Sequence, residues 1–292
     1  MNTEGLRGKT VVVAGATGAI GKATCAAFLS AGATVFALGR DPAKLARLKG
    51  NLDASPDRFH LLPVRFQEES AWDRVLTDVL RFSPGIDAFV HAAGQVVPGA
   101  FLELTVKEID SMIATNFRSV VAAAGVLIPH MAERRTGHFI VVGSLGGIVP
   151  MPFETIYAAT KFALRGFCLS LHEEVRSQGV TVSLLSAGPV RSQMLAQEGS
   201  DLRAALTFVD APVEPSAIAR DIVALLGGRA REIVRPSLQR FEGLFVSLLP
   251  GLFGALYPLL TAIGRRKLSR YRRSPAKTQD YDHDCRSSAQ AA

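Results

Sequence analysis

Three side chains have the types and spacing needed to move a proton to or from an oxygen atom: Ser144, Tyr157 and Lys161. Tyr157 and Lys161 are four residues apart in the helical pattern TIYAATKFALRGF, so both lie on one helix face. An ammonium beside a phenol favours the phenolate and lowers the phenol pKa. Such a tyrosine can give or take a proton near neutral pH, and a serine hydroxyl can hold the same oxygen. We therefore expect an acid–base site.

Seven apolar runs rich in Val, Ile and Phe must position these residues, and longer helical patterns separate the runs. Unbroken apolar strands between helices predict a parallel sheet covered on both faces. The predicted fold class is α/β: a single doubly wound, Rossmann-like sheet with helices on both faces and an apolar C-terminal extension. Ligands of such sheets bind beyond the carboxyl ends of the strands. The predicted strands are 10–15, 34–39, 59–64, 87–94, 138–144, 180–186 and 231–236.

A glycine-rich loop, GATGAIG, follows the first predicted strand and leads into a helical pattern. Gly15, Gly18 and Gly21 suit a tight turn, a close approach of backbone N–H groups to a pyrophosphate, and close packing of the helix on the strand. The helix N-terminus also favours an anion. An ordinary strand-to-helix turn is the alternative, but the position between the first strand and the first helix favours dinucleotide binding.

The second predicted strand ends Leu38-Gly39-Arg40, which bears on the identity of the dinucleotide. An acidic residue here would hold a ribose 2′-hydroxyl, whereas an arginine would meet a 2′-phosphate. Arg40 therefore favours NADP(H). NAD(H) is the alternative because Asp41 is adjacent, and a third interpretation makes Arg40 a solvated loop cation, since predicted boundaries vary by a few residues.

With these motifs in place, the sequence resembles the short-chain dehydrogenase/reductase family over roughly residues 6 to 236. The resemblance rests on GATGAIG (15–21), HAAG (91–94), Asn116 in ATNFRSV, Ser144 in VVGSLGG, YAATK (157–161) and AGPVRSQM (187–194). The resemblance implies that Tyr157 is the acid/base and that Lys161 modifies its pKa and contacts a ribose. It also implies that Ser144 orients the carbonyl and that Asn116 supports a water relay to the lysine.

The same resemblance implies a set of cofactor-binding residues and a homodimer or homotetramer. Val190 and Ser192 would lie against the nicotinamide carboxamide. The expected cofactor-binding residues are Gly15, Thr17, Gly18, Ile20, Gly21, Arg40, Ala93, Gly94, Tyr157, Lys161, Gly188, Val190 and Ser192. His91 is expected to support the strand end rather than to transfer a proton, because the tyrosine already supplies that role.

The formal net charge of +7 over 292 residues lies mostly in the tail. Residues 265–292 contain eight Lys or Arg and three Asp. The near-neutral body is a poor general surface for nucleic acid, so we expect no nucleic-acid partner, whereas a basic tail suits an anionic membrane.

The three cysteines and six histidines show neither a disulfide framework nor metal-ligand spacing, so no metal is expected. The N-terminal residues lack a signal-peptide pattern. We expect a cytoplasmic protein, attached to the cytoplasmic face of a membrane if the C-terminal segment binds lipid.

Residues 244–263 form an uncharged stretch of 20, followed by GRRKLSRYRR. Three interpretations stay open. An interfacial anchor or lid, broken at Pro250 and Pro258, would be held on anionic lipid by the basic residues. A true membrane span satisfies the length rule. The third interpretation is a helix that completes the core or a subunit interface, because an apolar stripe is usually buried against protein.

The chain therefore divides into a dinucleotide-binding catalytic domain (1–236), an apolar and basic segment (237–273) that contacts a membrane through 244–273 or covers the site, and a polar, disordered tail (274–292). The sequence predicts a hydride-transfer enzyme that interconverts an alcohol and a ketone or aldehyde. Its small-molecule substrate would be lipophilic, with a steroid-, retinoid- or long-chain-like skeleton. The alternative is a non-catalytic dinucleotide-binding sensor or membrane-tethered scaffold, which would need the glycine loop but not Ser144, Tyr157 and Lys161.

Overall fold

Seven apolar segments pair into one parallel sheet in the order β3-β2-β1-β4-β5-β6-β7, which confirms the predicted doubly wound architecture. The computed structural model describes residues 6–52, 54–68, 70–226, 228, 231–236 and 250–273. The strands are β1 (Thr10–Ala14), β2 (Thr34–Gly39), β3 (Phe59–Pro63), β4 (Ala88–His91), β5 (Gly137–Ser144), β6 (Val180–Ala187) and β7 (Glu232–Arg235). The connections turn in opposite directions from β1 and β4, so a ligand crevice is expected beyond the carboxyl ends of these two neighbours.

Helices connect the strands and cover both faces of the sheet. They are α1 (Ala19–Ser30), α2 (Pro42–Asn51), α3 (Ala71–Leu80), α4 (Val106–Ile113), α5 (Ser119–Glu133), α6 (Thr155–Val175), α7 (Gln193–Glu198), α8 (Pro215–Leu226) and α9 (Pro250–Arg272). A π-helical turn, Ala114–Arg118, joins α4 to α5, and a 3₁₀ helix, Ala205–Val209, precedes α8.

The core has two halves because successive side chains on a strand point to opposite faces. On β1, Val11 and Val13 pack with α1, α2 and α8, whereas Val12 and Ala14 pack with α3, α5 and α6. All five residues of β1 are buried, which explains why the strands appear as unbroken apolar runs. Burying a Val, Leu or Phe side chain contributes about 1.5–3 kcal/mol, so this packing holds the strand ends in place.

Helix α9 packs on the 3₁₀ helix. Leu268 is fully buried beside Leu195, Ala205 and Phe208, and the Tyr271 ring centre lies 5.3 Å from that of Phe208. Two of the basic residues that the sequence analysis assigned to lipid contact instead donate to backbone oxygens of this region. Lys267 donates to the carbonyl of residue 209, and Arg272 donates to those of residues 199 and 200 at 2.7 and 2.6 Å.

The predicted break at Pro258 is wrong, because α9 runs through this residue without interruption. Pro250 is the first residue of the helix, where a missing N–H removes no intrahelical hydrogen bond. Pro258 is exposed, so water can bond to the carbonyl that its missing N–H leaves free. Residues 244–249 of the apolar stretch and the tail 274–292, predicted to be disordered, lie outside the described residues.

Among the described residues, one helical run, Val106–Glu133, is long and apolar enough to cross a membrane, and half of it is buried inside the protein. Its α5 part contributes Val120, Leu127 and Met131 to the core beneath the sheet. The apolar character of this run is therefore that of a core helix.

Candidate active site

Ser144, Tyr157 and Lys161 meet in one cavity of about 340 Å³ beyond the carboxyl ends of the strands. Ser144 is the last residue of β5, and Tyr157 and Lys161 lie on the first two turns of α6. Tyr157 is 7% exposed and Lys161 is 5% exposed. The Lys161 Nζ lies 5.6 Å from the centre of the Tyr157 ring and donates to the Val142 carbonyl at 3.2 Å. The fold thus brings together three side chains that span 18 residues of sequence.

Burial raises the pKa of Tyr157, which differs from the expected lowering by Lys161. The carboxyl groups of Glu198 and Glu154 raise this pKa further, whereas a hydrogen bond with Ser144 opposes the rise. Burial also lowers the pKa of Lys161 to about 8, against the attraction of Cys168 and Glu198. Removing each group from water disfavours its charged form. Tyr157 therefore holds its proton in this structure.

Asn116 connects two walls of the site. It lies in the π-helical turn, and such widened turns often occur at functional sites. Its side-chain oxygen accepts from the Gln95 N–H at 2.8 Å, and its amide nitrogen donates to the Gln95 carbonyl at 2.9 Å and to the Thr160 hydroxyl at 3.1 Å. Asn116 thereby ties the segment after β4 to α6 one residue before Lys161. The role in a water relay stays a prediction.

The glycine loop has the geometry that a pyrophosphate requires. Gly15 has a φ of +81°, and a Cβ atom there would lie 2.5 Å from the Ala93 nitrogen. A Cβ atom at Gly21 would lie 2.1 Å from the Gly15 carbonyl oxygen, so α1 packs directly on the loop. Gly18 is the N-cap of α1 and supplies no side-chain cap, which leaves the first-turn N–H groups available to an anion. These residues fit a dinucleotide phosphate.

The end of β2 presents Arg40 and Asp41 differently. The Asp41 carboxylate caps α2 by accepting the N–H groups of Ala43 at 2.9 Å and Lys44 at 3.1 Å. Arg40 is exposed at the strand end. Thr17 approaches the same place, since its methyl group would lie 3.2 Å from a Cβ atom at Gly39. The Asp41 carboxylate is therefore engaged in capping α2, whereas the exposed Arg40 side chain is available to a ligand.

Some of the predicted cofactor-binding residues line the cavity, and the others lie in the glycine loop and at the end of β2. Gly188, Val190 and Ser192 follow β6 and line the cavity opposite the segment after β4. The Ser192 hydroxyl donates to the Val190 carbonyl at 3.0 Å and accepts from the Leu195 N–H at 3.1 Å, so it begins α7. The cavity is also lined by Ile20, Ala93 and Gly94, whereas Gly15, Thr17, Gly18, Gly21 and Arg40 are not among its lining residues.

His91 is fully buried at the end of β4 and supports the strand end. Its Nε2 lies 2.9 Å from the Ser119 hydroxyl, and its ring packs near those of Phe66, Trp72 and Phe89. Burial and, to a smaller extent, the charge of the neighbouring Lys161 lower the pKa of His91 to about 3. A neutral, hydrogen-bonded imidazole agrees with the expected structural role.

Two site residues were missed by the sequence analysis: Glu154 and Glu198, whose buried carboxyl groups line the cavity. Glu154 directly precedes α6 and lies three residues before Tyr157, a spacing that could have drawn attention to it. No local pattern points to Glu198, because its burial depends on the packing of α7. Three residues of α9, Phe253, Leu256 and Leu260, also line the cavity.

Comparisons with known proteins agree with this geometry. A family model described as short chain dehydrogenase matches residues 9–203. The chain is 27% identical over 272 residues to dehydrogenase/reductase SDR family member 7B of Danio rerio, covering 90% of this chain and 87% of that protein. It is 30% identical over 191 residues to an uncharacterized oxidoreductase of Staphylococcus aureus strain USA300, covering 65% of this chain and 82% of that protein.

Solved structures show the same fold. A short-chain dehydrogenase from Streptomyces avermitilis aligns with a TM-score of 0.73 and 24% identity, covering 86% of this chain and 97% of that one. A structure of ElxO with NADP bound aligns with a TM-score of 0.71 and 18% identity, covering 80% and 99%. Since the family model spans more than half of the chain, this protein belongs to the short-chain dehydrogenase/reductase family and is an NAD(P)-dependent oxidoreductase.

Proposed function

We propose that this enzyme uses NADPH to reduce a lipophilic ketone or aldehyde, with Tyr157 as the proton donor. The observation that carries the proposal is the shared cavity, which joins Ser144, Tyr157 and Lys161 to a predominantly apolar wall. A non-catalytic sensor or scaffold is not favoured, since dinucleotide binding alone would not require these three side chains in one cavity.

The state of Tyr157 favours reduction over oxidation. Burial raises the pKa of the phenol, so Tyr157 enters the reaction protonated and can donate to the alkoxide that forms at a carbonyl oxygen. Hydrogen bonds from Tyr157 and Ser144 would stabilise the developing negative charge on that oxygen. The Lys161 ammonium would favour the phenolate after the proton has left. A bound nicotinamide would supply the hydride.

The preference for NADPH is supported by the end of β2. Asp41 is held as the cap of α2, whereas Arg40 is exposed where a ribose 2′-phosphate would lie. Arginine binds phosphate through charge-assisted, often bidentate hydrogen bonds. The structurally similar ElxO binds NADP, which agrees with this assignment.

The lipophilic substrate is supported by the lining of the cavity beyond the reactive residues. Apolar side chains dominate there, and α9 contributes part of this wall. The lining includes Val149, Met151, Leu206, Phe253, Leu256 and Leu260. An apolar pocket with a few convergent polar groups is typical of a site that binds a hydrophobic small molecule.

We further propose that the outer side of α9 rests on an anionic membrane surface at the cytoplasmic face. Leu259 and Ile263 are 60% and 38% exposed on this helix, and Arg265 and Arg266 follow them on the surface. Exposed apolar residues beside basic residues suit an anionic interface. Because α9 also lines the cavity, a lipophilic substrate could enter from the bilayer. The homodimer or homotetramer stays a prediction.

A panel of steroid ketones, retinaldehyde and long-chain carbonyl compounds, assayed with NADPH and NADH in parallel, tests the reaction. We expect reduction of at least one lipophilic carbonyl, faster with NADPH. Tyr157→Phe should bind NADPH as the wild type does, measured by nucleotide fluorescence, yet lose about 10²- to 10⁴-fold in kcat, the contribution typical of a general acid. Undiminished turnover in Tyr157→Phe would refute the assigned role.

A further inference from the structure

Two buried carboxyl groups lie in the substrate cavity without a part in the proton transfer described above. Glu154 is the N-cap residue of α6, and Glu198 is the last residue of α7. They are 2% and 7% exposed, and both line the cavity. Carboxyl groups are rarely buried unless they are paired or bound to something, so this placement requires a reason.

Glu154 has one satisfied oxygen and one unsatisfied oxygen. Its Oε1 accepts a hydrogen bond from the Thr207 hydroxyl at 3.1 Å. Its Oε2 is buried and has no hydrogen-bond partner among the described residues. Buried polar atoms in native proteins are almost always hydrogen-bonded to protein, water or a ligand. The free oxygen, on a side chain that lines the cavity, therefore marks a place for an incoming donor.

The charge state of the pair favours a neutral ligand over a cation. Burial raises the pKa of Glu154 to about 7 and raises that of Glu198 well above its usual range. The pair therefore retains a proton near neutral pH, and it can both accept and donate a hydrogen bond. A hydroxyl group has the same dual capacity, whereas an ammonium only donates and would add a second cation near Lys161. Burial also raises the pKa of Asp210, a third carboxyl group at the cavity, and the charge of Lys267 opposes this rise.

The pair lies beside the reacting group. Glu154 and Tyr157 occupy the N-cap and N3 positions of α6, whose side chains are neighbours at a helix start. Both carboxyl groups act electrostatically on Tyr157, and Glu198 also acts on Lys161. If the carbonyl oxygen of a substrate lay at Tyr157, the part of the substrate a few atoms from that oxygen would therefore lie beside Glu154 and Glu198.

We propose that Glu154 and Glu198 form a polar subsite that binds a hydroxyl group carried by the substrate a few atoms from its carbonyl. The inference rests on the proposed carbonyl reduction and narrows its substrate class to hydroxylated lipophilic carbonyl compounds. Glu154 and Glu198 determine specificity and take no part in the proton transfer. A substrate without this hydroxyl would leave the buried Glu154 Oε2 without a hydrogen bond and would therefore bind more weakly.

Matched ketones test the subsite. The wild type should use 6-hydroxydecan-2-one with a kcat/KM about 10- to 100-fold above that for decan-2-one, as expected for a hydrogen bond to a buried, partly charged group. Glu154→Met and Glu198→Met, which remove the carboxyl oxygens at similar side-chain length, should each remove most of this preference through a higher KM for the hydroxyketone. Glu174→Met, at an exposed carboxyl on the same helix, is the control and should keep the preference. Thermal unfolding verifies that each variant folds.

Calorimetry separates failure of the subsite from failure of the proposed reaction. Decane-2,6-diol and decan-2-ol are titrated into the protein with and without NADPH, conditions under which neither alcohol can be oxidised. Tighter binding of the diol to the wild type, lost in both glutamate variants, supports the subsite even if no carbonyl compound is reduced. Equal binding of the two alcohols, or a hydroxyl preference unchanged in both variants, overturns it. Tighter binding of 6-aminodecan-2-ol than of the diol overturns the assignment to a hydroxyl.

Discussion

The carboxylate of Asp41 and the guanidinium of Arg40 are adjacent in sequence, yet their environments differ. Asp41 accepts two backbone N–H groups and begins α2, a contribution of about 1 kcal/mol to helix stability. Arg40 is exposed beside the loop that would hold the dinucleotide phosphates. The helix cap therefore holds the acidic side chain and leaves the guanidinium exposed, which is the basis of the proposed preference for NADPH.

At the scale of single residues, replacement of Arg40 tests the preference for NADPH over NADH. Arg40→Ala should raise KM for NADPH about 10- to 100-fold, because charge-assisted hydrogen bonds to the 2′-phosphate are lost, while KM for NADH changes little. Steady-state kinetics with both cofactors measures this change. Arg220→Ala, an exposed arginine on α8, is the control. An equal loss with NADPH and NADH would contradict a 2′-phosphate contact by Arg40.

At the scale of elements, the docking of α9 depends on a close backbone approach. A Cβ atom at Gly264 would lie 2.1 Å from the carbonyl oxygen of Ala205, so the helix and the 3₁₀ helix touch through their main chains. At Gly254 in the same helix, nothing lies within 4 Å of a Cβ atom. The two glycines offer a matched pair in one helix, because only the first is required for packing.

Gly264→Ala should destabilise the protein by about 1–3 kcal/mol, since α9 must move away from the 3₁₀ helix to admit the methyl group. Gly254→Ala should stabilise it by about 0.5–1 kcal/mol through helix propensity. Denaturant unfolding gives both free energies, and hydrogen exchange reports whether the α9 amides become less protected. The interpretation fails if the two variants shift stability in the same direction.

At the scale of the whole molecule, the two sides of α9 have different surroundings. The inner side of α9 lines the cavity with Phe253, Leu256 and Leu260, while its second half is held on the protein by Leu268 and Arg272. The outer side exposes apolar residues and arginines. The helix therefore connects the substrate cavity to the surface that we propose to contact lipid.

Flotation with lipid vesicles tests this connection. The protein should bind phosphatidylserine-containing vesicles and not pure phosphatidylcholine vesicles, with weaker binding at high salt. Changing Arg265, Arg266 and Arg270 to Gln should reduce binding about 10²-fold, because each basic residue near an anionic surface contributes about 1 kcal/mol. Changing Lys44, Arg47 and Arg220 to Gln removes the same charge elsewhere and should have little effect. Equal binding to both vesicle types would contradict the proposal.

Much of the fold was predictable from local patterns. A parallel strand buried on both faces is apolar along its length, so central strands such as β1 appear in the sequence as apolar runs, whereas β7 at the sheet edge carries Glu232 and Arg235 and is partly exposed. The four-residue spacing of Tyr157 and Lys161 and the glycines after β1 are equally local, because helix periodicity and turn geometry involve neighbours along the chain. These patterns led to the family, the architecture and the three side chains that meet in the cavity.

Only the tertiary structure decided the electrostatics of the site and the path of α9. The direction of the Tyr157 pKa shift depends on burial and on two carboxyl groups from separate helices. The Glu154 carboxyl meets the Thr207 hydroxyl across 53 residues of sequence, and α9 remains continuous through Pro258 while docked on the 3₁₀ helix. Burial and long-range charge arise from contacts between distant segments, whereas periodicity and spacing record only the local conformation of the chain.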